Sequence, residues 1–188
     1  MGNREDLLAG ARKVIFERGV AKATARDIAG AAGVSLAAIG YHFGSKEQLI
    51  TEALTQSLGT GIGDRMDAAL RETAALPPLD AFAAVWNAMP AAFAENREAL
   101  IASLENVVRM LRSPEASQEY AGAMSEAYSG TAAQLRETRP ELDDAQAEAV
   151  AKLYFALAQS LGILWLVTPE AVPTGEELAA AVAALASD

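Results

Sequence analysis

"TARDIAGAAGVSLAAIGYHF", residues 24–43, is the stretch on which the reading of this chain turns. Its apolar residues recur at helical rather than strand spacing, but in two short runs separated by Gly33. A tight turn between two helices needs a residue that tolerates positive φ, and glycine does so without steric cost. Two helices that cross closely also need a small side chain at the crossing, and Ala29 lies four residues before the glycine. Ile28, Val34 and Ile39 fall where the small core of such a unit must be apolar. The expectation is a helix-turn-helix, in which the second helix enters the major groove and the first braces it across the backbone.

The residues on either side sharpen this reading. The segment "ARKVIFERGVAKATARDIAGAAGVSLAAIGYHFGSKEQLI" (11–50) resembles the DNA-binding domain of the TetR family of transcriptional regulators. The likeness rests on Phe16 and Gly19 closing a first helix, Thr24 opening the second and the Ile28-Ala29 pair. It continues through the Gly33-Val34-Ser35 turn and Tyr41-His42-Phe43 to Ser45-Lys46-Glu47. It spans residues 5–55; the remainder is similar to the family in size, helical content and helix count. The resemblance implies an all-α chain, with an N-terminal three-helix DNA-binding domain (1–46) and a larger helical ligand-binding and dimerisation domain (47–188). It also implies regulation of transcription, usually by repression. One departure stands out: where the family commonly carries an aromatic just before the Tyr-His pair, this chain has Gly40.

Composition is consistent with that implication. Apolar residues make up 52% of 188, enough for a sizeable core, and there is no cysteine, which excludes disulfides, thiolate metal sites and a cysteine nucleophile. The formal net charge is −10, unevenly placed: residues 1–60 carry seven basic against six acidic side chains, and 61–188 carry eight against nineteen. An acidic body repels nucleic acid at range, so DNA binding must fall to the first sixty residues. The N-terminus lacks the apolar run of a signal peptide. The most apolar run, residues 153–167, is shorter than the ~20 residues that span a bilayer. A cytoplasmic protein without a membrane role is expected.

Glycines, prolines and capping residues predict nine helices and no strand. They cover 4–18, 25–33, 36–43, a long helix from 46 to about 75, then 79–94, 96–112, 114–138, 144–167 and 175–186. "SKEQ" (45–48) and the Thr174–Glu177 pair read as capping boxes, and Ser113 and Ser35 as N-caps. Gly59, Gly61 and Gly63 weaken the middle of the long helix.

His42, the single histidine, has three readings: metal ligand, catalytic base, or structural and phosphate-contacting residue. No second histidine or cysteine shares an ion with it, and no nucleophile partner is evident, so phosphate contact together with Tyr41 is expected and Phe43 is assigned to the core. Lys46, in the first turn of the fourth helix, suits a phosphate. Thr24 is expected to cap its helix and donate to phosphate, and Arg26 is placed either at a guanine edge or in solvent. Leu36, Ala37 and Ala38 are expected to face thymine methyls, with Ser35 and the backbone near Gly40 completing the surface.

In the larger domain Phe82, Trp86, Met89 and Phe93 recur on one helical face, with Val107, Met110, Met124 and Tyr128 as candidates to oppose them. Ordinary core is one reading; an adaptable apolar pocket for a small-molecule effector is the other. Asn87, Asn106, Arg109 and Gln134 are candidate polar anchors. Residues 150–167 are apolar nearly all round, so Leu153, Leu157, Leu161, Leu164 and Trp165 are expected to meet a second copy. The sequence predicts a homodimeric regulator of operator DNA with no cofactor and no metal. The rival is a helical binding protein, or an enzyme, without a DNA role.

Overall fold

The computed structural model describes the backbone of residues 2–112 and 114–186 and the side chains of 3–112 and 120–186. The elements run α1 (Gly2–Arg18), α2 (Ala25–Ala32), α3 (Ala37–Phe43), α4 (Lys46–Leu58), α5 (Asp64–Glu72), α6 (Pro78–Glu95), α7 (Arg97–Met110), α8 (Pro114–Thr138), α9 (Asp144–Val167) and α10 (Gly175–Ala186). Short 3₁₀ turns cover Val20–Lys22 and Pro169–Ala171. No strand occurs among the described residues. A π-turn at Gly59–Gly63 joins α4 to α5, so the predicted long helix exists, altered where its three glycines lie, and counting it once gives nine helices among the described residues. It ends at Glu72, earlier than expected, with Thr73 as its C-cap and the Thr73 hydroxyl donating to the carbonyls of Ala69 and Leu70. The Ser113 cap lies outside the described residues.

The caps explain most boundaries. Asp143 accepts from the Gln146 N–H at 2.8 Å while the Gln146 side chain accepts from the Asp143 N–H at 3.0 Å, a complete box that opens α9. Thr174 and Glu177 form the same pair for α10, at 3.2 and 2.8 Å. Ser45 accepts from the Gln48 N–H at 3.0 Å. The expected Ser35 cap is not made: the N-cap position of α3 falls on Leu36, whose backbone is already helical and which makes no side-chain cap bond.

The chain divides into two compact units. The first is Met1–Gly59 with Glu98–Ala121; the second is Thr60–Arg97 with Gly122–Asp188. In the first, α1 packs on α2 and α4 around Leu7, Leu8, Val14, Ile15, Ile28, Ile39, Leu49, Ile50 and Leu54, all buried. Each fully buried leucine or isoleucine contributes roughly 1.5–3 kcal/mol of transfer free energy. Ala102 of α7 joins this core. α7 is tied on by polar bonds that the sequence does not announce. Glu105 Oε2 accepts from the Val20 N–H at 2.7 Å, and the Arg109 guanidinium donates to Thr51 Oγ1 at 2.8 Å and Asn106 Oδ1 at 2.7 Å.

In the second unit α6 is the central element, packed by α5, α9 and α10. Its buried face is Phe82, Val85, Trp86, Met89 and Phe93. α10 crosses it where Gly175 meets Ala83: a Cβ built on Gly175 would lie 1.9 Å from the Ala83 carbonyl oxygen. The Gly175 N–H donates to Asn87 Oδ1 at 2.7 Å, and Asn87 Nδ2 donates to Glu176 Oε1 at 2.8 Å. Asn87 thus holds the start of α10 against α6.

Because the obstructing atom is backbone, Gly175→Ala cannot be absorbed by a rotamer change. We expect a loss of about 1–3 kcal/mol, the range of overpacked sites. It should appear in a thermal melt as a Tm several degrees lower. An unchanged Tm would show that α10 does not seat on α6 in this way.

Candidate nucleic-acid interface

The turn between α2 and α3 has the geometry the sequence predicts. Gly33 sits at φ 68°, ψ 25°, in the left-handed region. The Val34 N–H donates to the Ala29 carbonyl at 3.1 Å and the Gly33 N–H to Gly30 at 3.2 Å, closing α2 and starting the turn. Ile28 and Ala29 face α1 and α3 and are buried; Ile39 and Phe43 of α3 are buried against them.

What remains outward is a distinct set. Arg26, Ser35, Leu36, Ala37, Gly40 and Tyr41 are exposed, and His42 is half-buried. Tyr41 is 86% exposed, with its ring edge-on to His42 at 4.8 Å between centroids. Ala38 does not join them. Against expectation it is buried, at 8% exposure, in the core that includes Ile39 and Phe43. Arg26 makes no ion pair or hydrogen bond among the described residues, leaving five donors for an external partner. Exposed Lys22, which the sequence reading passed over, stands on the turn just before α2; only its charge signalled it.

Two predicted phosphate ligands already have internal partners. The Thr24 hydroxyl accepts from the Asp27 N–H at 3.1 Å and donates to Asp27 Oδ2 at 2.5 Å, so its proton is committed. That bond, with Arg18 Nη1 3.1 Å from the other carboxylate oxygen, holds the Asp27 pKa below the usual value; the Thr24 hydroxyl is the larger cause. Lys46 Nζ donates to the Ala23 carbonyl at 3.2 Å and lies 3.4 Å from Glu47 Oε1. This anchors the residues before α2 to the start of α4. A lysine ammonium has three donors, so a phosphate can still be met, but structural work comes first. Beyond the groove face, Arg4 lies 5.1 Å over the Phe43 ring and pairs with Glu52.

The expected effector residues divide between the units. Phe82, Trp86, Met89 and Phe93 lie together in the second, where Phe82 and Trp86 meet Tyr154 of α9 and Phe93 meets Trp165. Tyr128 of α8, in the same unit, stacks edge-on with Phe155 at 5.1 Å, and Met124 Sδ lies 3.8 Å from Gln159 Nε2. Val107 and Met110 belong to the first unit. The four polar candidates are occupied: Asn106 and Arg109 bind Thr51, Asn87 holds α10, and Gln134 meets Arg71 and the Asp67 carbonyl.

Of the expected partner-facing residues on α9, Leu153 is exposed and Leu157, Leu164 and Trp165 are half-buried. Leu161 is buried within the second unit, at 7% exposure. Ile163 and Val167 on α9, and Val182 and Leu185 on α10, are exposed apolar residues as well. α9 is long and apolar enough to cross a membrane by length and composition alone, and 22% of its most apolar window is buried.

A bipartite helical chain with this α2–α3 geometry belongs to the helix-turn-helix class of DNA-binding proteins. The family model described as bacterial regulatory proteins, tetR family, matches residues 7–53. Residues 7–53 thus carry a DNA-binding segment of the TetR type. No curated protein matches it significantly. Among solved structures it is similar to a transcriptional regulator from Rhodococcus sp. Rha1, at 25% identity and TM-score 0.56, over 95% of this chain and 91% of that one. The TetR family repressor AlkX from Dietzia sp. strain DQ12-45-1b matches at 17% and 0.65, over 97% and 91%. The multidrug binding protein EbrR, complexed with imidazole, matches at 22% and 0.68, over 97% and 93%.

Arg26 and Lys46 therefore make different predictions. Arg26→Ala should leave the melting temperature unchanged and reduce discrimination between operator and scrambled DNA by about 1–3 kcal/mol, the value of one bidentate base contact. Lys46→Ala should weaken all sequences alike, lower the salt slope by about 1 and also lower Tm, since the Ala23 carbonyl loses its donor. Anisotropy titrations at several salt concentrations, with a melt of each variant, separate the two.

Proposed function

We propose that this chain represses transcription as a homodimer on a palindromic operator and is released by a small, largely apolar effector. The observation that carries the reading is the division of α2–α3 into a buried side, Ile28, Ala29, Ala38, Ile39 and Phe43, and an outward side ready for DNA. Arg26 and Ser35 supply hydrogen-bonding groups for base edges, Leu36 and Ala37 apolar contact to thymine methyls, and Tyr41, His42, Lys22 and Lys46 phosphate contacts. Direct readout from so few polar side chains is sparse, so DNA shape contributes to specificity. A dimer sets the two recognition helices roughly one turn apart, ~34–36 Å.

Dimerisation is supported by the exposed apolar residues on α9 and α10, which a second copy would cover in a symmetric four-helix contact. The effector reading is supported by the aromatic and methionine face of α6 in the second unit. Two similar structures point the same way: one is described as a multidrug binding protein, the other as implicated in biodegradation of n-alkanes. A cytoplasmic location, with no cofactor and no enzymatic role, accompanies this reading. The rival is a helical small-molecule-binding protein without a DNA role.

Titration onto the DNA upstream of its own gene separates the two readings. Specific operators are bound in the 10⁻⁸–10⁻¹¹ M range, against about 10⁻⁴–10⁻⁶ M for non-specific DNA. Binding only in the weaker range, with no preference for that DNA, would reject the regulator reading.

Two variants test the parts. A Cβ on Gly40 meets no atom within 4 Å, so Gly40→Tyr adds an aromatic to the outward face without disturbing the core. It also removes a helix-interior glycine, worth roughly 0.5–1 kcal/mol. Tighter operator binding is expected; weaker binding would mean that the bare backbone approaches the DNA there. Ile163→Glu should convert the dimer to monomer in sedimentation and reduce operator affinity together. A wild-type monomer at micromolar concentration that still binds tightly would overturn the dimer.

A further inference from the structure

Trp86 is 2% exposed, and its indole Nε1 is buried with no hydrogen-bond partner among the described residues. Buried donors are nearly always satisfied, so such a group calls for an explanation. Its surroundings are aromatic: the Phe82 ring lies 6.1 Å away at 61° and the Tyr154 ring 5.4 Å away at 48°. Phe82 and Tyr154 touch each other at 5.6 Å, edge to face. The polar groups nearby have other work. Asn87, next in sequence, holds α10, and Arg139 donates to the carbonyls of Leu76 and Thr73.

We infer that the effector carries a neutral oxygen acceptor (a ketone, ester, amide or ether) on an apolar body, and that the Trp86 indole N–H donates to that oxygen. The inference rests on the reading that the second unit binds an effector, and adds its chemical class. An indole nitrogen only donates, so the partner must accept. The acceptor is neutral because an anion among three aromatic rings would be an unpaired buried charge, which costs far more than a buried carbonyl. Arg139, the cation that acts on Tyr154, pairs with Glu141 at 3.9 Å and donates to backbone carbonyls. Burial pushes the Tyr154 phenol up to about 12, with Arg139 opposing, so it stays protonated and adds no charge. The three rings suit a flat or aliphatic body beside the acceptor.

The test compares acetophenone with α-methylstyrene, which replaces the carbonyl by a methylene of the same shape, and with benzoate as the anion. Binding is followed by calorimetry and by ¹⁵N-resolved NMR of the indole N–H groups. The chain has two tryptophans, so Trp165→Phe assigns the Trp86 signal. We expect acetophenone to bind about 3–10-fold tighter than α-methylstyrene, the usual worth of one neutral hydrogen bond, and to move the Trp86 indole proton downfield. Trp86→Phe should abolish the difference, and the wild-type comparison stands if that variant does not fold. Equal binding with a fixed indole proton would overturn the inference and leave an apolar effector standing. Preference for benzoate, or a long-lived water on the indole N–H, would also overturn it. Failure of all three probes to bind would reject the apolar-effector reading as well.

Discussion

The outward face of α2–α3 depends on the left-handed turn at Gly33. With that residue at φ 68°, the Val34 amide closes onto Ala29 and the chain reverses within the length of one helical turn. A side chain with a Cβ would hold this conformation at a cost of roughly 1–2 kcal/mol. The turn brings α3 against α2, with Ala29 buried in the core of the first unit. It thereby decides that Ile39 and Phe43 point inward while Ala37 and Tyr41 point out. A recognition helix of only seven residues is well below the length at which an isolated helix holds itself in water. Its orientation therefore comes from packing, and the packing comes from the turn.

A second set of bonds fixes this small domain to an element remote in sequence. Glu105 takes the Val20 amide, and Arg109 and Asn106 take Thr51, so α7 grips both the turn before α2 and the body of α4. Lys46 completes the arrangement by holding the Ala23 carbonyl. A net charge of −10 makes these internal uses of cations consequential. Every basic side chain that closes a carbonyl or pairs with a carboxylate adds less to the attraction for DNA. Arg26 and Lys22 stand out because nothing among the described residues competes for them.

The helical layout and the helix-turn-helix were legible because their signals are local. Capping residues, the glycine turn and apolar spacing each act within a few positions, and they placed α8, α9 and α10 at their observed limits. What was not legible depends on rotation about a helix axis or on distant partners. Ala38 lies one residue from Ala37 and Leu161 two from Ile163, yet such steps of about 100° and 200° carry a side chain from surface to core. Ser35 could not be told from Leu36 as the start of α3 because both positions precede the same run. The pairs Glu105–Val20 and Arg109–Thr51 join residues 85 and 58 apart, which no spacing rule reaches. Residues 82–93 read as core or pocket, with ordinary core favoured residue for residue, and their burial does not by itself decide between the two.

The division into units limits how control can work. A ligand shifts an equilibrium only by its differential affinity for two conformations, and the coupling is reciprocal, typically 1–3 kcal/mol. The chain leaves the first unit at Gly59, inside the π-turn, and re-enters at Glu98, at the start of α7. It leaves again near Ala121, within α8. Two of these crossings lead straight into the elements that hold the DNA-reading helices: α4, which begins with Lys46, and α7, which carries Glu105, Asn106 and Arg109. α6, the helix bearing Trp86, ends one residue before α7 begins. Covalent continuity therefore puts the proposed effector residues fewer than two dozen positions from Glu105. A π-turn, which interrupts regular helical bonding and recurs at functional positions, marks the other crossing. These short connections are the covalent links between the two units.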